Sequence, residues 1–238
     1  MPKRRKKTNR KLLLQWVAVC VATVALGMMI ARLLGPAEPE PVPGIDVSSH
    51  QGVIDWKAVA DSGVKFAIIR LGYRSTDDGL LHEDTRAKEN LAGAKAVGLK
   101  IGGYFFSQAL NPAEAREEAA LALEILGDMP LDFPLAYDWE YTGADNRTGA
   151  MEPATLVACV HAFCNAIEYS GYQSMVYFNL DLSRTLLDLD EVKQYPFWYA
   201  RYGEKMDLKR EVLLWQYSDQ GAVPGISEKV DLNWWYQK

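Results

Sequence analysis

Cysteine and histidine are scarce, three of each in 238 residues, and neither falls into a pattern that does chemistry. No His-Glu-x-x-His or paired cysteines occur, so no metal site is expected, and no other cofactor is called for. Cys20 lies in an apolar run; Cys159 and Cys164 are five apart in a predicted helix and face different ways, so they read as small buried hydrophobes, not as a disulfide. Acidic residues are missing from the first 35 positions, which hold eight of the 26 basic ones. Beyond them 18 basic residues face all 31 acidic ones, a net of −13. A surface that poor in cations lacks the phosphate-neutralising charge that nucleic-acid binding requires, so no nucleic-acid partner is expected. No internal repeat is present beyond an alternation of strand-like and helix-like segments.

What the chain does have begins with a membrane-like end. Residues 12–31 carry no charge, and Leu33 and Leu34 continue the run past Arg32. Twenty helical residues match the thickness of the bilayer interior. Seven cations precede the run, so the N-terminus is expected to stay in the cytoplasm and the rest to lie outside. Gly35-Pro36-Ala37 would suit signal cleavage and secretion, but the run exceeds the usual signal core of about 7–15 residues, which favours an uncleaved anchor. The expected divisions are a basic tail (1–11), a transmembrane signal-anchor (12–34), a proline-rich linker of roughly 28 Å (35–43) and one domain (44–238). That domain is expected to be monomeric, localised at the cell membrane as a single-pass protein. Its acidity removes Coulombic attraction to anionic walls, and tethering would supply local concentration instead.

Within the domain, apolar runs of strand length recur at 44–47, 66–71, 101–106, 133–139, 175–178, 197–200, 212–217 and 230–232. Their continuous hydrophobicity suits strands covered on both faces, as in a parallel sheet. Helical patterns lie at 56–62, 83–97, 112–126, 153–169 and, more weakly, 182–187, with Asn111-Pro112 and Glu152-Pro153 as helix starts. Eight strands and about five helices predict an α/β fold, a modified (β/α) barrel whose last third has lost its outer helices.

In such barrels the site is built at the C-terminal strand ends. Those ends offer Asp46, Arg70, Tyr104, Asp138 with Glu140, Tyr177 with Asn179, Trp198 with Tyr199, Gln216 and Asp231. Asp138 and Glu140 are two apart and so share a face of their strand. Crowded carboxyls cannot all ionise, and a protonated acid beside an ionised partner is what glycosidic cleavage needs. Six of seven Trp and all twelve Tyr lie in the domain, and such rings suit the mixed faces of sugars. Trp56, Trp215 and Trp234 read as core; Trp198 and Tyr199 are the better binding candidates. Solvated strand-end acids, and turn-supporting roles for Asp46 and Asp231, are the plain alternatives, and for Arg70 a structural ion pair.

Several ordered motifs then resemble family 25 glycoside hydrolases, lysozymes of the N-acetylmuramidase type. Gly44-Ile45-Asp46-Val47-Ser48-Ser49-His50-Gln51-Gly52 with Ile54-Asp55-Trp56 looks like the family's opening motif. Gly102-Gly103-Tyr104-Phe105-Phe106 is similar to its third strand, where the family often has His at the place of Phe105. Pro134-Leu135-Ala136-Tyr137-Asp138-Trp139-Glu140 resembles the catalytic strand. Trp198-Tyr199-Ala200-Arg201-Tyr202, Trp215-Gln216-Tyr217 and Val230-Asp231-Leu232-Asn233 resemble later ones. The resemblance implies cleavage of the β-1,4 bond between N-acetylmuramic acid and N-acetylglucosamine in peptidoglycan. It implies Glu140 as acid and base, Asp138 as stabiliser of the intermediate, and Asp46 and Asp231 as flanking carboxylates. Tyr104, Tyr177, Trp198, Tyr199, Gln216 and Arg70 are the expected substrate contacts. A chitinase-like N-acetylhexosaminidase, or a sugar-binding module without catalysis, are the alternatives.

Overall fold

The computed structural model describes residues 10–33 and 40–237, with side chains described for 14–28 and 40–237. Residues 1–9 of the basic tail, residue 34 of the expected anchor and linker residues 35–39 lie outside the described residues. Two units are present, Met1–Pro39 and Glu40–Lys238.

In the first unit, Arg10–Leu33 forms helix α1, as the charge-free run requires. Its apolar side chains, among them Leu14, Trp16, Val21 and Met28, are more than half exposed. The expected membrane span is nevertheless not supported: among the described residues no helix is long and apolar enough to cross a membrane.

The second unit is a closed barrel. Strands β1 (Val42–Val47), β2 (Phe66–Arg74), β4 (Lys100–Ser107), β5 (Leu135–Trp139), β6 (Ser174–Asn179), β7 (Phe197–Ala200), β8 (Leu214–Gly221) and β9 (Val230–Trp235) pair in that cyclic order, and β3 (Leu81–Glu83) flanks β2. The first strand starts at Val42, two residues before the expected domain start. Helices α2 (Trp56–Asp61), α3 (Ala87–Ala96), α4 (Pro112–Leu126), α5 (Pro153–Tyr169) and α6 (Leu180–Thr185) follow the predicted segments closely. The exception is the start of α3, expected at 83. Residues 81–83 pair antiparallel with β2, and the Asp84 carboxylate accepts from the Arg86 amide in the turn that follows. Asn111 caps α4 through the amides of Ala113 and Glu114, whereas Glu152 makes no side-chain cap on α5.

The pairings from β1 through β8 along the series are parallel, but β9 is antiparallel to both β8 and β1. The segment between β8 and β9 contains no helix, and a parallel return needs a crossover of about a dozen residues or more. The start of β9 therefore meets the ends of the other strands. Asp231, expected at a strand's C-terminal end, instead enters the mouth from a strand's first turn of residues.

Side-chain parity divides the core in two. Ile45, Ile69, Leu71, Leu135, Tyr137, Trp139, Val176, Phe178 and Tyr199 belong to the layer beneath the helices. Phe66, Ile68, Ala136, Met175, Tyr177, Trp198, Ala200 and Leu214 fill the barrel interior. The floor is tight: a side chain at Gly44 would collide with the Phe66 ring. Trp56 and Trp215 are buried in the outer layer and Trp234 packs against it. Cys159 and Cys164 are free and buried, and Cys20 is free and exposed.

Candidate active site

The interior parity of each strand carries past the packed floor into polar side chains. From β1 comes Asp46, from β2 Arg70, from β4 Tyr104, from β5 Asp138 and then Glu140, from β6 Tyr177, from β7 Trp198, from β8 Gln216 and from β9 Asp231. These nine predicted residues line one pocket of about 440 Å³ at the strand ends. The tenth, Tyr199, does not. It neighbours Trp198 on a strand and so points to the other face. It packs on Phe178 in the outer layer, and its hydroxyl donates to Asp207 at 2.8 Å. The same rule places Phe105 beside Phe163 outside the barrel, so the missing family histidine removes nothing from the pocket.

Two carboxyl pairs dominate the pocket. Asp46 and Asp231 are directly opposed on neighbouring strands. A buried amide hub joins them: Gln216 Nε2 donates to Asp46 at 2.9 Å and to Asp231 at 3.3 Å, while its Oε1 accepts from the Tyr177 and Tyr202 hydroxyls. Asn233 Nδ2 donates to the same Asp46 oxygen at 2.7 Å, and its own oxygen accepts from the Trp198 indole at 2.8 Å. Burial pushes the Asp46 carboxyl up to about 6, against the pull of the two amides. Burial, then the Asp46 charge, push Asp231 up to about 8. Burial and mutual repulsion thus favour a proton shared within the pair.

The second pair is Asp138 and Glu140. Asp138 is 4% exposed, and its Oδ1 has no hydrogen-bond partner. Burial, followed by the charges of Glu140 and Asp46, raises its carboxyl well above the ordinary range. Glu140 is less deeply set and is raised by burial and by Asp231, with a hydrogen bond to Asp138 acting the other way. The arrangement can hold a proton at the mouth and a negative charge beside it, as acid-catalysed cleavage of an acetal requires.

Sequence reading missed the groups that hold this site. Arg70 is committed to Asp84, with Nε to Oδ2 at 2.8 Å, and Asp84 also accepts from the Ser49 amide. The ion pair anticipated for Arg70 thus exists, with a partner outside the four acids. Gln108, wholly buried, donates from Nε2 to the Glu140 carbonyl at 2.8 Å and accepts from the hydroxyls of Thr142 and Thr148. Arg147 ties the same loop to Glu114 and to the Gln108 carbonyl. A parity signal existed for Gln108 and Asn233, which stand two residues beyond Phe106 and Asp231. None existed for Asp84, which only the tertiary fold brings to Arg70. Among the described residues no group of three or more His, Cys, Asp or Glu side chains is arranged to hold a metal ion.

Fold and site together define a barrel of the glycoside hydrolase class, with carboxyl groups gathered at its mouth. The sequence matches the model of glycosyl hydrolases family 25 over residues 45–226, and the chain belongs to that family. It is 32% identical over 191 residues to an autolytic lysozyme of Clostridium acetobutylicum, covering 80% of this chain and 54% of that one. It is 27% identical over 217 residues to lysozyme M1 of Streptomyces globisporus, covering 85% and 70%. Among solved structures it is similar to the modular autolysin LytC of Streptococcus pneumoniae in complex with a synthetic peptidoglycan ligand. There the TM-score is 0.73 at 28% identity, covering 83% of this chain and 47% of that one. The chain thus spans about half the length of the autolytic lysozyme and of LytC.

Proposed function

We propose that this protein hydrolyses peptidoglycan, cleaving the β-1,4 bond from N-acetylmuramic acid to N-acetylglucosamine. The observation that carries the reading is the Asp138 and Glu140 pair, both raised, at the end of β5 in a pocket with a second proton-sharing pair. Relatives called lysozymes support the substrate class.

Glu140, the more accessible of the two, protonates the leaving glycosidic oxygen. As that bond breaks, positive charge develops at the sugar carbon, and Asp138 stabilises it. The partnerless Oδ1 of Asp138 offers an acceptor to the acetamido N–H of the substrate. Glu140, now ionised, takes a proton from the water that attacks the same carbon, which restores the acid. Asp46 accepts from sugar hydroxyls; Asp231 completes the acidic wall, and Tyr104, Tyr177, Trp198 and Gln216 shape the groove. Arg70, held on Asp84, places a fixed positive charge that lowers the cost of ionising Asp138.

The proposed location is outside the cytoplasm, with the domain held at the cell membrane by the N-terminal segment. It rests on the seven cations ahead of residues 12–31 and on the exposed apolar side chains among the described residues of α1. Recovery of the full chain in the soluble fraction of its own cells would remove the tether.

The activity is tested by reducing-end release and product mass from purified peptidoglycan. Products ending in reducing muramic acid, absent with Glu140→Gln, are expected. Release of reducing glucosamine ends, or cleavage of chitin oligomers in preference, would reassign the bond. Binding without release, unaffected by Glu140→Gln, would mark a sugar-binding module.

A further inference from the structure

Two arginines outside the catalytic pocket meet on the first turns of α4. Arg74, the last residue of β2, is buried. It donates from Nε to the wholly buried Glu118 carboxyl group at 2.8 Å, and from Nη2 to the Glu117 carboxylate and the Glu114 carbonyl, each at 3.0 Å. Its Nη1 donates to the Gly79 carbonyl at 2.8 Å, so one side chain fixes both the start of α4 and the turn between β2 and β3. Arg147, in the loop after β5, touches both of those parts. Its guanidinium forks onto Glu114, Nη1 to Oε2 at 2.9 Å and Nη2 to Oε1 at 3.2 Å. A Cβ at Gly79 would stand 2.9 Å from the same guanidinium, so a side chain there would crowd it. The remaining contact of Arg147 leads toward the proposed acid: Nη1 also donates to the main-chain carbonyl of Gln108, the residue whose side chain donates to the Glu140 carbonyl.

We propose that Arg147 is a positioning residue for Glu140, acting through the Gln108 main chain, with the Arg74 and Glu118 pair as the fixed point behind it. The inference rests on the proposed function and extends it to residues that never meet the substrate. Arg147 does not line the catalytic pocket. Its charge is not what tunes the acid either: beyond burial, the groups that shift Glu140 are Asp231 and Asp138. What remains is geometry. A guanidinium forked onto a carboxylate is held in a defined orientation and can in turn hold a carbonyl. Glu114 fastens the same stretch from its other side, accepting from the Leu110 amide at 3.0 Å. The loop between Glu140 and Arg147 also closes on itself, with Asn146 Nδ2 donating to the Thr142 carbonyl at 2.6 Å. Release of Arg147 therefore lets the Gln108 main chain shift, and the amide that clamps Glu140 shifts with it.

The test is a double-variant cycle on the full chain in detergent, with soluble peptide-free glycan strands as substrate. Arg147→Ala is expected to lower kcat about tenfold with KM unchanged, as the displacement of a reacting group does. In a Gln108→Leu background, where the link to Glu140 is already cut, the same change is expected to cost less than about twofold. Equal losses in both backgrounds overturn the proposal, and so does a raised KM with kcat unchanged. Gly79→Ala supplies a second cycle should Gln108→Leu fail to fold, because its methyl group crowds the guanidinium and leaves the charge in place. It is expected to lower kcat in the wild-type background and not in Arg147→Ala; the same loss in both places the effect in the turn and refutes the brace. Failure of wild type to cut any strand would sink the hydrolase reading instead. Amide hydrogen exchange then decides the brace by itself: faster exchange across residues 140–148 in Arg147→Ala, with the barrel strands unchanged, supports it, and unchanged exchange in that loop refutes it.

Discussion

The Gln108 side chain donates to the main-chain carbonyl of Glu140 at 2.8 Å, so a residue at the end of β4 holds the backbone of the proposed acid at the end of β5. Its oxygen is satisfied by Thr142 and Thr148, which leaves no slack in the clamp. In Gln108→Leu the carbonyl of Glu140 loses its donor and the two threonines lose their acceptor. The expected result is a kcat lowered about 10- to 100-fold with little change in KM, since a small misplacement of a reacting group costs that much. Stability falls as well, by about 1–3 kcal/mol for buried groups left unpaired. Steady-state kinetics beside thermal melts checks it; a lower melting temperature with unchanged kcat would show that the clamp serves only the fold.

The acidic wall should make the protein less stable as pH rises. Asp231 is raised to about 8 from an ordinary value near 3.8, so its ionised form is the one folding disfavours. The unfolded chain ionises it near pH 4 at no such cost, and stability is therefore lost between about pH 4 and 8. Asp231→Asn removes that slope. At pH 8 the variant is expected to be more stable than wild type by on the order of 1 kcal/mol, about 2–4 °C in Tm after allowing for solvent screening. At pH 4 the gain vanishes. Parallel melting curves at both ends of the range decide the matter.

Breaking the Arg70 and Asp84 pair from one side leaves a buried charge alone. Asp84→Leu is expected to cost roughly 3–5 kcal/mol, and Arg70→Met a similar amount. The double variant should recover a large part of either loss, because no unpaired charge then remains. Urea unfolding of the four proteins gives the coupling directly, and additive losses would show that the pair is not the source.

Trp198 and Tyr199 are chain neighbours with opposite fates. Tyr199→Phe loses one hydrogen bond to Asp207, an expected cost of about 1 kcal/mol, with turnover preserved. Trp198→Phe disturbs the pocket wall and frees Asn233, whose other end holds Asp46, so turnover should fall at least tenfold. Equal effects on turnover from both would contradict the parity that separates them.

Much of this was written in local pattern. The alternation of apolar runs and capped helices specifies eight barrel strands and five covering helices, because a strand buried on both faces and a helix with one apolar face read differently along the chain. The two-residue spacing of Asp138 and Glu140 places them on one face without any knowledge of the fold. Applied to β7, the same rule separates Tyr199 from Trp198. Three things depended on the tertiary structure. The antiparallel return of β9 puts Asp231 opposite Asp46 from the start of a strand, and hairpin direction depends on the absence of a crossover helix. Asp84 reaches Arg70 only because β3 folds back along β2, a three-residue strand too short to show a period. The upward shift of the Asp46 and Asp231 carboxyls follows from burial and from charges 185 positions apart in sequence, and neither has a local signature. Sequence alone determined which face of its strand each candidate residue takes, since periodicity is a property of neighbours; their electrostatics and their supports were decided by tertiary contact, since desolvation and charge act across space.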